Sequence, residues 1–265
     1  MTYKRLRSGK KIESNLMAKL SFSAKKQLSE AVRNQFVETM KISAEFSEAA
    51  KGIDTMGYLI LKTGHDLNEY CEAVSGSGNY SPKMTEICGY LSDICTKSEE
   101  FVKRKNLAFI RRIPEENIVV NIDGEKFCYA VLNLILNAAE NTPEGVKIRL
   151  SVSKTKKFVK IVVGDNGFGM DEESVLRCFE PFYTKSRNSG SEKMGLGLTL
   201  ARNFVFESGG RMNITSEKGK GTIVSMLLPL VKCEEKNLMV GSAVPEITDG
   251  KFSPVRIVLS GLLKD

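Results

Sequence analysis

Several kinds of reactive side chain are scarce in this sequence. Its 265 residues include one histidine, His65, and six cysteines that form no C-x-x-C pair. The scattered cysteines suit neither a zinc site nor a disulfide framework. A mixed cysteine and histidine metal site is not expected either, because it would need more than one histidine. The cysteines are instead expected to be reduced thiols that act as small core residues.

Long apolar runs are also missing. No stretch of about 18 apolar residues occurs, so no membrane span is expected. Residues 1–11 are basic and polar, unlike a secretory signal. With 42% hydrophobic and 27% charged residues, the composition is that of a globular protein. A cytoplasmic location is the resulting expectation.

Positive charge is concentrated at the start of the chain. Residues 1–26 carry eight lysines and arginines against one glutamate, and the whole chain has a formal net charge of +7. A basic tail can touch acidic lipids or nucleic acid, although a solvated chain end is the more common role. Because only Tyr3 and Phe22 are aromatic there, nucleic-acid binding is not expected.

Two patterns of apolar spacing divide the chain. The first part has helical spacing, interrupted at Gly52 and Asp54 and by a loop over 75–82. The predicted helices of this part span 24–51, 56–74 and 83–104. The second part mixes both periods. Its predicted strands span 107–112, 117–121, 146–153, 158–163, 211–216 and 222–228, and its predicted helices span 125–141, 174–179 and 196–208.

These patterns predict a basic tail over 1–23, a helical unit over 24–105, a mixed unit over 106–230 and an extension over 231–265. Mixed elements of this kind indicate an α+β sandwich with helices on one face of a sheet. The apolar run 255–263 in the extension is expected to add a strand or a short helix.

Two amides lie on one predicted helix. Asn133 and Asn137 are four residues apart, so they share a face of a helix that is otherwise apolar. Mg²⁺ takes oxygen ligands and keeps several waters, so one amide oxygen together with ATP phosphates would make a suitable shell. A pair of buried, hydrogen-bonded asparagines is the alternative explanation of this spacing.

Two glycine-containing segments follow. Asp165-x-Gly167-x-Gly169 stands at a strand end, where a carboxylate can accept a hydrogen bond from an amine such as that of adenine and glycines allow close approach of the backbone. Ordinary turn chemistry would also explain it. The segment 195–198 opens a helix whose backbone N–H groups can face an anion. The polar run 185–193 before it has the composition of a mobile lid, from which Lys185 is expected to approach phosphates.

Taken together, five segments resemble the N, G1, F, G2 and G3 boxes of the GHKL ATPase superfamily, most of all the catalytic domain of sensor histidine kinases. The segments are 133–141, 165–170, 179–185, 195–198 and 219–222. This resemblance implies a Bergerat-type α/β sandwich that binds ATP and Mg²⁺, with Asn137 as the metal ligand and Asp165 as the adenine reader. The other ATP-binding positions that it implies are Gly167, Gly169, Lys185, Gly195, Leu196, Gly197, Leu198 and Thr222.

Asn133 bears on the type of reaction. Hydrolases and anti-sigma serine kinases of this superfamily typically carry a glutamate, acting as general base, four residues before the magnesium-binding asparagine. A neutral amide cannot take a proton from water or serine, and Asn133 is expected only to orient a neighbour. The sequence therefore favours transfer to a better nucleophile, such as a neutral imidazole.

The segment 65–74 resembles the H box of the histidine-kinase dimerisation helix. The resemblance implies His65 as phosphoacceptor, Asp66 as the acidic residue that assists proton removal, a homodimer through residues 24–104, and a response-regulator receiver domain as the next acceptor. A surface or core histidine is the alternative. Two functions stay open: a histidine autokinase of a two-component system, or a GHKL protein that binds ATP without phosphorylating itself and uses its helical part to bind other proteins.

Overall fold

The structure is a computed structural model that describes residues 51–185, 194–231, 250 and 252–263, together with residues 27, 30, 31 and 34. Those four residues are helical, in agreement with the helix predicted over 24–51. The rest of that helix, the basic tail, and most of the predicted lid lie outside the described residues. None of the helices in the described ranges is long and apolar enough to cross a membrane.

The described residues from 51 to 263 form six helices and seven strands. The helices are α1 (Lys51–Ser75), α2 (Ile87–Arg104), α3 (Gly124–Glu140), α4 (Glu172–Arg177), α5 (Gly197–Glu207) and α6 (Pro254–Leu259), which continues into a 3-10 turn (Ser260–Leu263). The strands are β1 (Lys83–Glu86), β2 (Ala108–Arg112), β3 (Val119–Ile122), β4 (Lys147–Lys154), β5 (Phe158–Asp165), β6 (Arg211–Glu217) and β7 (Gly221–Pro229).

The larger sheet has five strands in the order β2-β4-β5-β7-β6. Only β2 and β4 pair in parallel, and the other neighbours are antiparallel. Alternate residues of β4 and β5 are buried, as expected for a sheet with one face covered. Ile148 and Thr222 stand opposite Asp165 on the two neighbouring strands, so the register places Asp165 at the end of the sheet beside Thr222.

One hydrophobic core joins this sheet to α2, α3, α5 and α6. Helix α3 is buried around most of its circumference, including Leu132, Ile135 and the polar Asn133. Its first turn is fixed by Asp123, whose carboxylate accepts hydrogen bonds from two backbone N–H groups, both at 3.1 Å. The described cysteines, which are Cys71, Cys88, Cys95, Cys128 and Cys178, are buried thiols, in agreement with their expected packing role.

The C-terminal run docks as a short helix, one of the two outcomes that its sequence predicts. Ser253 caps α6, and Pro254 occupies its first turn. Val255 and Val258 join the main core, whereas Ile257 packs with Tyr58 and Leu61 of α1. Helix α6 therefore lies between α1 and the layered part of the molecule.

Two features of the predicted helices are wrong. Lys83–Glu86 is a strand, because these residues pair with β3 from Lys83 opposite Ile122 to Glu86 opposite Val119. Glu86 then caps α2, so the helix starts only at Ile87. Gly52 and Asp54 do not interrupt the helix, because α1 spans Lys51–Ser75 and includes both residues.

Within residues 56–231, the other predicted helices and strands are confirmed, with ends that differ by a few residues. The helix predicted over 174–179 spans Glu172–Arg177, because Asp171 accepts a hydrogen bond from the N–H of Ser174 and so caps it earlier. The predicted domain boundaries remain predictions. Helix α2 belongs to the predicted helical unit, yet it shares its core with the sheet of the predicted mixed unit.

Candidate functional site

Asp165 ends β5 as a buried carboxylate, with 5% of its surface exposed. Its Oδ1 accepts a hydrogen bond of 2.8 Å from the N–H of Gly167. Burial raises the pKa of Asp165, and hydrogen bonds from the backbone of Gly167 and Thr222 oppose the rise. A carboxylate that is held in this way can recognise one specific hydrogen-bond donor, such as an exocyclic amine.

Gly167 lets the loop after β5 lie directly against the end of α3. A Cβ at this position would stand 2.1 Å from the carbonyl oxygen of Asn141 and 2.8 Å from Thr142 Oγ1. The N–H of Phe168 donates to the same Asn141 oxygen at 2.9 Å. This contact brings Asp165 close to the C-terminal turn of α3, which carries Asn137.

Asn137 is half-buried on α3, and its side chain is held by Asn141 one turn later. Asn141 Nδ2 donates to Asn137 Oδ1 at 3.1 Å and to the Asn137 carbonyl oxygen at 2.7 Å. An amide oxygen has a second lone pair that can bind a cation, so the donor chemistry and exposure of Asn137 fit a magnesium ligand. Asn141 has no role among the sequence-based predictions, although its i+4 spacing from Asn137 is visible in the sequence.

Asn133 is buried and lies against the start of α5. A Cβ on Gly197 would be only 3.1 Å from Asn133 Oδ1, so the glycine permits the close approach of the two helices. Leu196 takes the N-cap position of α5 but provides no side-chain hydrogen bond there. The first N–H groups of α5 are therefore not capped by the Leu196 side chain and can serve an anion.

The Gly169 turn and the turn before β7 meet at the same end of the sheet. Gly169 has a φ of 62°, and a Cβ there would lie 1.9 Å from the carbonyl oxygen of Glu217. The N–H of Gly219 donates to the carbonyl oxygen of Phe168 at 2.7 Å. Ser216, which the sequence analysis missed, shares a 2.9 Å hydrogen bond with Thr222.

Lys185 lies apart from these groups. It is exposed and forms an ion pair with Asp171, the N-cap of α4. The hydrogen bond between the two side chains lowers the pKa of Asp171 and raises the pKa of Lys185. Residues 186–193 lie outside the described residues.

His65 lies on α1, where its ring stacks on that of Tyr129 with centroids 3.7 Å apart. Tyr129 is one turn before Asn133 on α3, and His65 and Asn133 line the same cavity of about 290 Å³. Asp66 is buried and forms an ion pair with Lys62. Its Oδ1 has no hydrogen-bond partner among the residues that the structure describes.

The structure thus brings most of the predicted positions together. The loop after β5 contacts the C-terminal end of α3 and the start of β7, and α3 also contacts the start of α5. These contacts connect Asn133, Asn137, Asp165, Gly167, Gly169, Gly197 and Thr222. His65 lines a separate cavity that includes only Asn133 of these positions, and Lys185 is paired with Asp171.

Comparisons with known proteins agree with this arrangement. Residues 122–232 match the family of histidine kinase-, DNA gyrase B-, and HSP90-like ATPases. The sensor histidine kinase WalK of Bacillus subtilis is 29% identical over 180 residues, which are 66% of this chain and 29% of WalK. The chain therefore spans less than a third of the length of that relative.

Solved structures show the same fold. The catalytic domain of histidine kinase ThkA aligns with a TM-score of 0.50 and 23% identity, over 56% of this chain and 97% of that domain. Full-length ShkA, solved in complex with AMPPNP, aligns with a TM-score of 0.59 and 19% identity, over 80% of this chain and 46% of ShkA.

The fold and the site define the class: this chain carries a GHKL ATPase domain, with a mixed sheet covered by helices. Within that superfamily, the relatives and solved structures that this domain resembles are histidine kinases. The predicted family and the predicted α+β Bergerat-type fold are thereby confirmed.

Proposed function

We propose that this chain is an ATP-dependent histidine autokinase of a two-component system. It transfers the γ-phosphoryl group of ATP to His65 and then to an aspartate of a response-regulator receiver domain. The observation that carries the proposal is the shared cavity: His65 and Asn133, which contacts the start of α5, line the same space. The lining of this cavity includes none of the predicted ATP-binding residues, so Asn133 is the link between His65 and the start of α5.

The residues have distinct roles in this proposal. Asp165 reads the adenine, the start of α5 faces the phosphates, and Asn137 holds Mg²⁺ through its amide oxygen. When bound, Mg²⁺ neutralises phosphate charge during transfer. Asn133 only orients a neighbour, because an amide is not a base at neutral pH.

In the transfer itself, a ring nitrogen of His65 forms a bond to the γ-phosphorus. The bond from that phosphorus to the bridging oxygen breaks, ADP leaves, and the imidazole loses its N–H proton. The ring nitrogens lie in the plane of the imidazole, whereas the stacking contact with Tyr129 is made by the face of the ring. Asp66 is the proposed proton acceptor, with one carboxylate oxygen engaged by Lys62.

A second function is favoured by the way α1 is held. Lys126 on α3 lies 3.4 Å from Glu69 of α1 and 3.5 Å from Glu207 of α5, and Asp66 is already paired with Lys62. These contacts support a docked helix that does not take part in transfer. The chain would then bind ATP without phosphorylating itself, and its helical part would bind other proteins.

Labelling with γ-³²P-ATP and Mg²⁺ distinguishes the two functions. The autokinase predicts acid-labile, alkali-stable label on the wild type and none on His65→Gln, which keeps a polar side chain of similar length. Asn137→Ala should also lose label, because it loses Mg-ATP binding, whereas His65→Gln should bind the nucleotide normally in calorimetry. Equal label on the wild type and on His65→Gln would remove His65 from the mechanism, and binding without label would support the second function.

The further partners and the setting belong to the same proposal. We expect a homodimer through residues 24–104, a receiver domain as phosphoryl acceptor, and a cytoplasmic location. Light scattering on the full chain tests the dimer: a mass near 29.3 kDa, the mass of one chain, would contradict it. Transfer of label from the purified phosphoprotein to a receiver domain tests the second step.

A further inference from the structure

Phe182, in the turn between α4 and α5, has an unusual backbone conformation. Its φ is 64°, in the left-handed region that side chains other than glycine rarely adopt. Phe182 is also 44% exposed, so it is one of the exposed large hydrophobic residues of the described part of the chain. A residue with such a backbone persists only where its surroundings hold it.

Two described contacts hold Phe182. The ring of Tyr70 on α1 meets the Phe182 ring edge to face, with centroids 5.2 Å apart and planes at 77°. The backbone N–H of Phe182 donates to the carbonyl oxygen of Gly195 at 3.1 Å. Because Gly195 is two residues before Gly197, where α5 begins, the turn is tied directly to the start of that helix.

The space around Gly195 leaves the turn little freedom. A Cβ at Gly195 would lie 2.5 Å from the carbonyl oxygen of Tyr183 and 2.7 Å from the carbonyl carbon of Phe182. The backbone of the turn and the backbone before α5 are thus in direct contact. A displacement of Phe182 is therefore transmitted to Gly195 rather than absorbed between them.

Tyr70 is a fixed support for this turn. Its neighbour Glu69 is paired with Lys126 of α3, and His65 stacks on Tyr129 of the same helix. Helix α1 lies outside the stretch 122–232 that matches the ATPase family. The contact with Phe182 therefore comes from outside the family-matched domain.

We infer that Tyr70 is a positioning residue for the phosphate-binding end of the nucleotide site, acting through Phe182 and Gly195 on the start of α5. This inference rests on the proposed binding of ATP. It gives α1 a role that does not depend on phosphorylation of His65. Movement of α1 would change how tightly the domain holds the phosphates, while adenine recognition at Asp165 would be unaffected.

The test compares the binding of Mg-ATP by calorimetry with the binding of adenosine by NMR titration at millimolar concentrations, using the full chain. Edge-to-face aromatic pairs contribute an energy that corresponds to about a two- to tenfold change in an equilibrium constant. Tyr70→Ala should weaken Mg-ATP binding by about that factor and leave adenosine binding unchanged. Tyr70→Phe keeps the ring and should bind Mg-ATP like the wild type.

Two further variants separate positioning from general destabilisation. Val74→Ala removes an exposed side chain from the same helix and should change neither affinity. Phe182→Ala should weaken Mg-ATP binding like Tyr70→Ala, and the double variant should be no weaker than either single one, because both remove the same contact. Additive losses would overturn the inference.

The outcomes for the inference and for the proposed function differ. A Tyr70→Ala chain that binds Mg-ATP as tightly as the wild type overturns the positioning role and leaves the kinase proposal intact. Equal weakening of Mg-ATP and adenosine also overturns it, since that result would indicate a disturbed domain. A wild-type chain that does not bind Mg-ATP overturns both.

Discussion

Replacing Gly167 by alanine tests how the loop after β5 is joined to α3. The added Cβ would lie 2.1 Å from the carbonyl oxygen of Asn141, which belongs to backbone that cannot rotate away. The structure gives Gly167 no left-handed φ, so the clash acts without backbone strain. The loop and the helix end must therefore separate by about 1 Å to reach the usual contact distance between non-bonded atoms.

The cost has two parts. Overpacking a close contact typically costs about 1–3 kcal/mol. Separation also breaks the 2.9 Å hydrogen bond from the N–H of Phe168 to Asn141, and such a bond contributes about 0.5–1.5 kcal/mol. We expect the free energy of unfolding to fall by about 1.5–4.5 kcal/mol, which lowers the melting temperature by roughly 3–15 °C for a domain of this size.

Two other glycines provide matched controls in thermal and urea unfolding. Gly78→Ala meets its nearest atom at 3.6 Å with no left-handed φ, so its stability should stay within about 0.5 kcal/mol of the wild type. Gly209→Ala has a φ of 68° but open space, the nearest atom being 3.7 Å away, and should lose about 1–2 kcal/mol from strain alone. If Gly167→Ala were no less stable than Gly78→Ala, the close approach of the loop to α3 would be refuted.

Two other substitutions probe charge. Asp165→Asn should weaken Mg-ATP binding about tenfold or more, because it loses a charge-assisted hydrogen bond worth about 1.5–3 kcal/mol. Burial raises the pKa of Asp165 in the folded state. The free energy of unfolding therefore falls as the pH rises from the pKa of Asp165 in the unfolded chain to its pKa in the folded chain. Without nucleotide at pH 7, the neutral Asp165→Asn variant should be more stable than the wild type. Urea unfolding at pH 4 and 7 checks this, and lower stability of the variant at pH 7 would contradict it. Lys126→Met leaves the half-buried Glu69 without this partner and should lower the free energy of unfolding by about 1–2 kcal/mol. Adding Glu69→Gln to that variant should largely restore the stability.

The prediction of a nucleotide site rests on short local segments. Asn133 and Asn137 are brought to one face by helical periodicity alone. The glycines of the loop after β5 and of the turn before α5 mark places where the backbone must come close to another group. The structure shows what they approach: the end of α3 for Gly167 and Asn133 for Gly197.

The start of the layered part could not be placed in this way. Lys83–Glu86 continues the helical spacing of α2, and only its pairing with β3 makes it a strand. Strand pairing between segments more than 30 residues apart along the chain leaves no local periodicity to detect. For the same reason, the sequence did not reveal that α2 shares its core with the sheet.

The class of domain and the residue types of the predicted site can be read from the sequence, because glycines, amides and the carboxylate at fixed spacings reflect local backbone geometry and ligand chemistry. The tertiary structure sets what surrounds these residues. It stacked His65 on Tyr129, paired Asp66 with Lys62 and Lys185 with Asp171, and set Tyr70 against Phe182. Three of these contacts join segments that are distant in sequence. The fourth, between Asp66 and Lys62, is local, but its burial comes from the packing of α1. All four contacts therefore depend on how helices and turns pack.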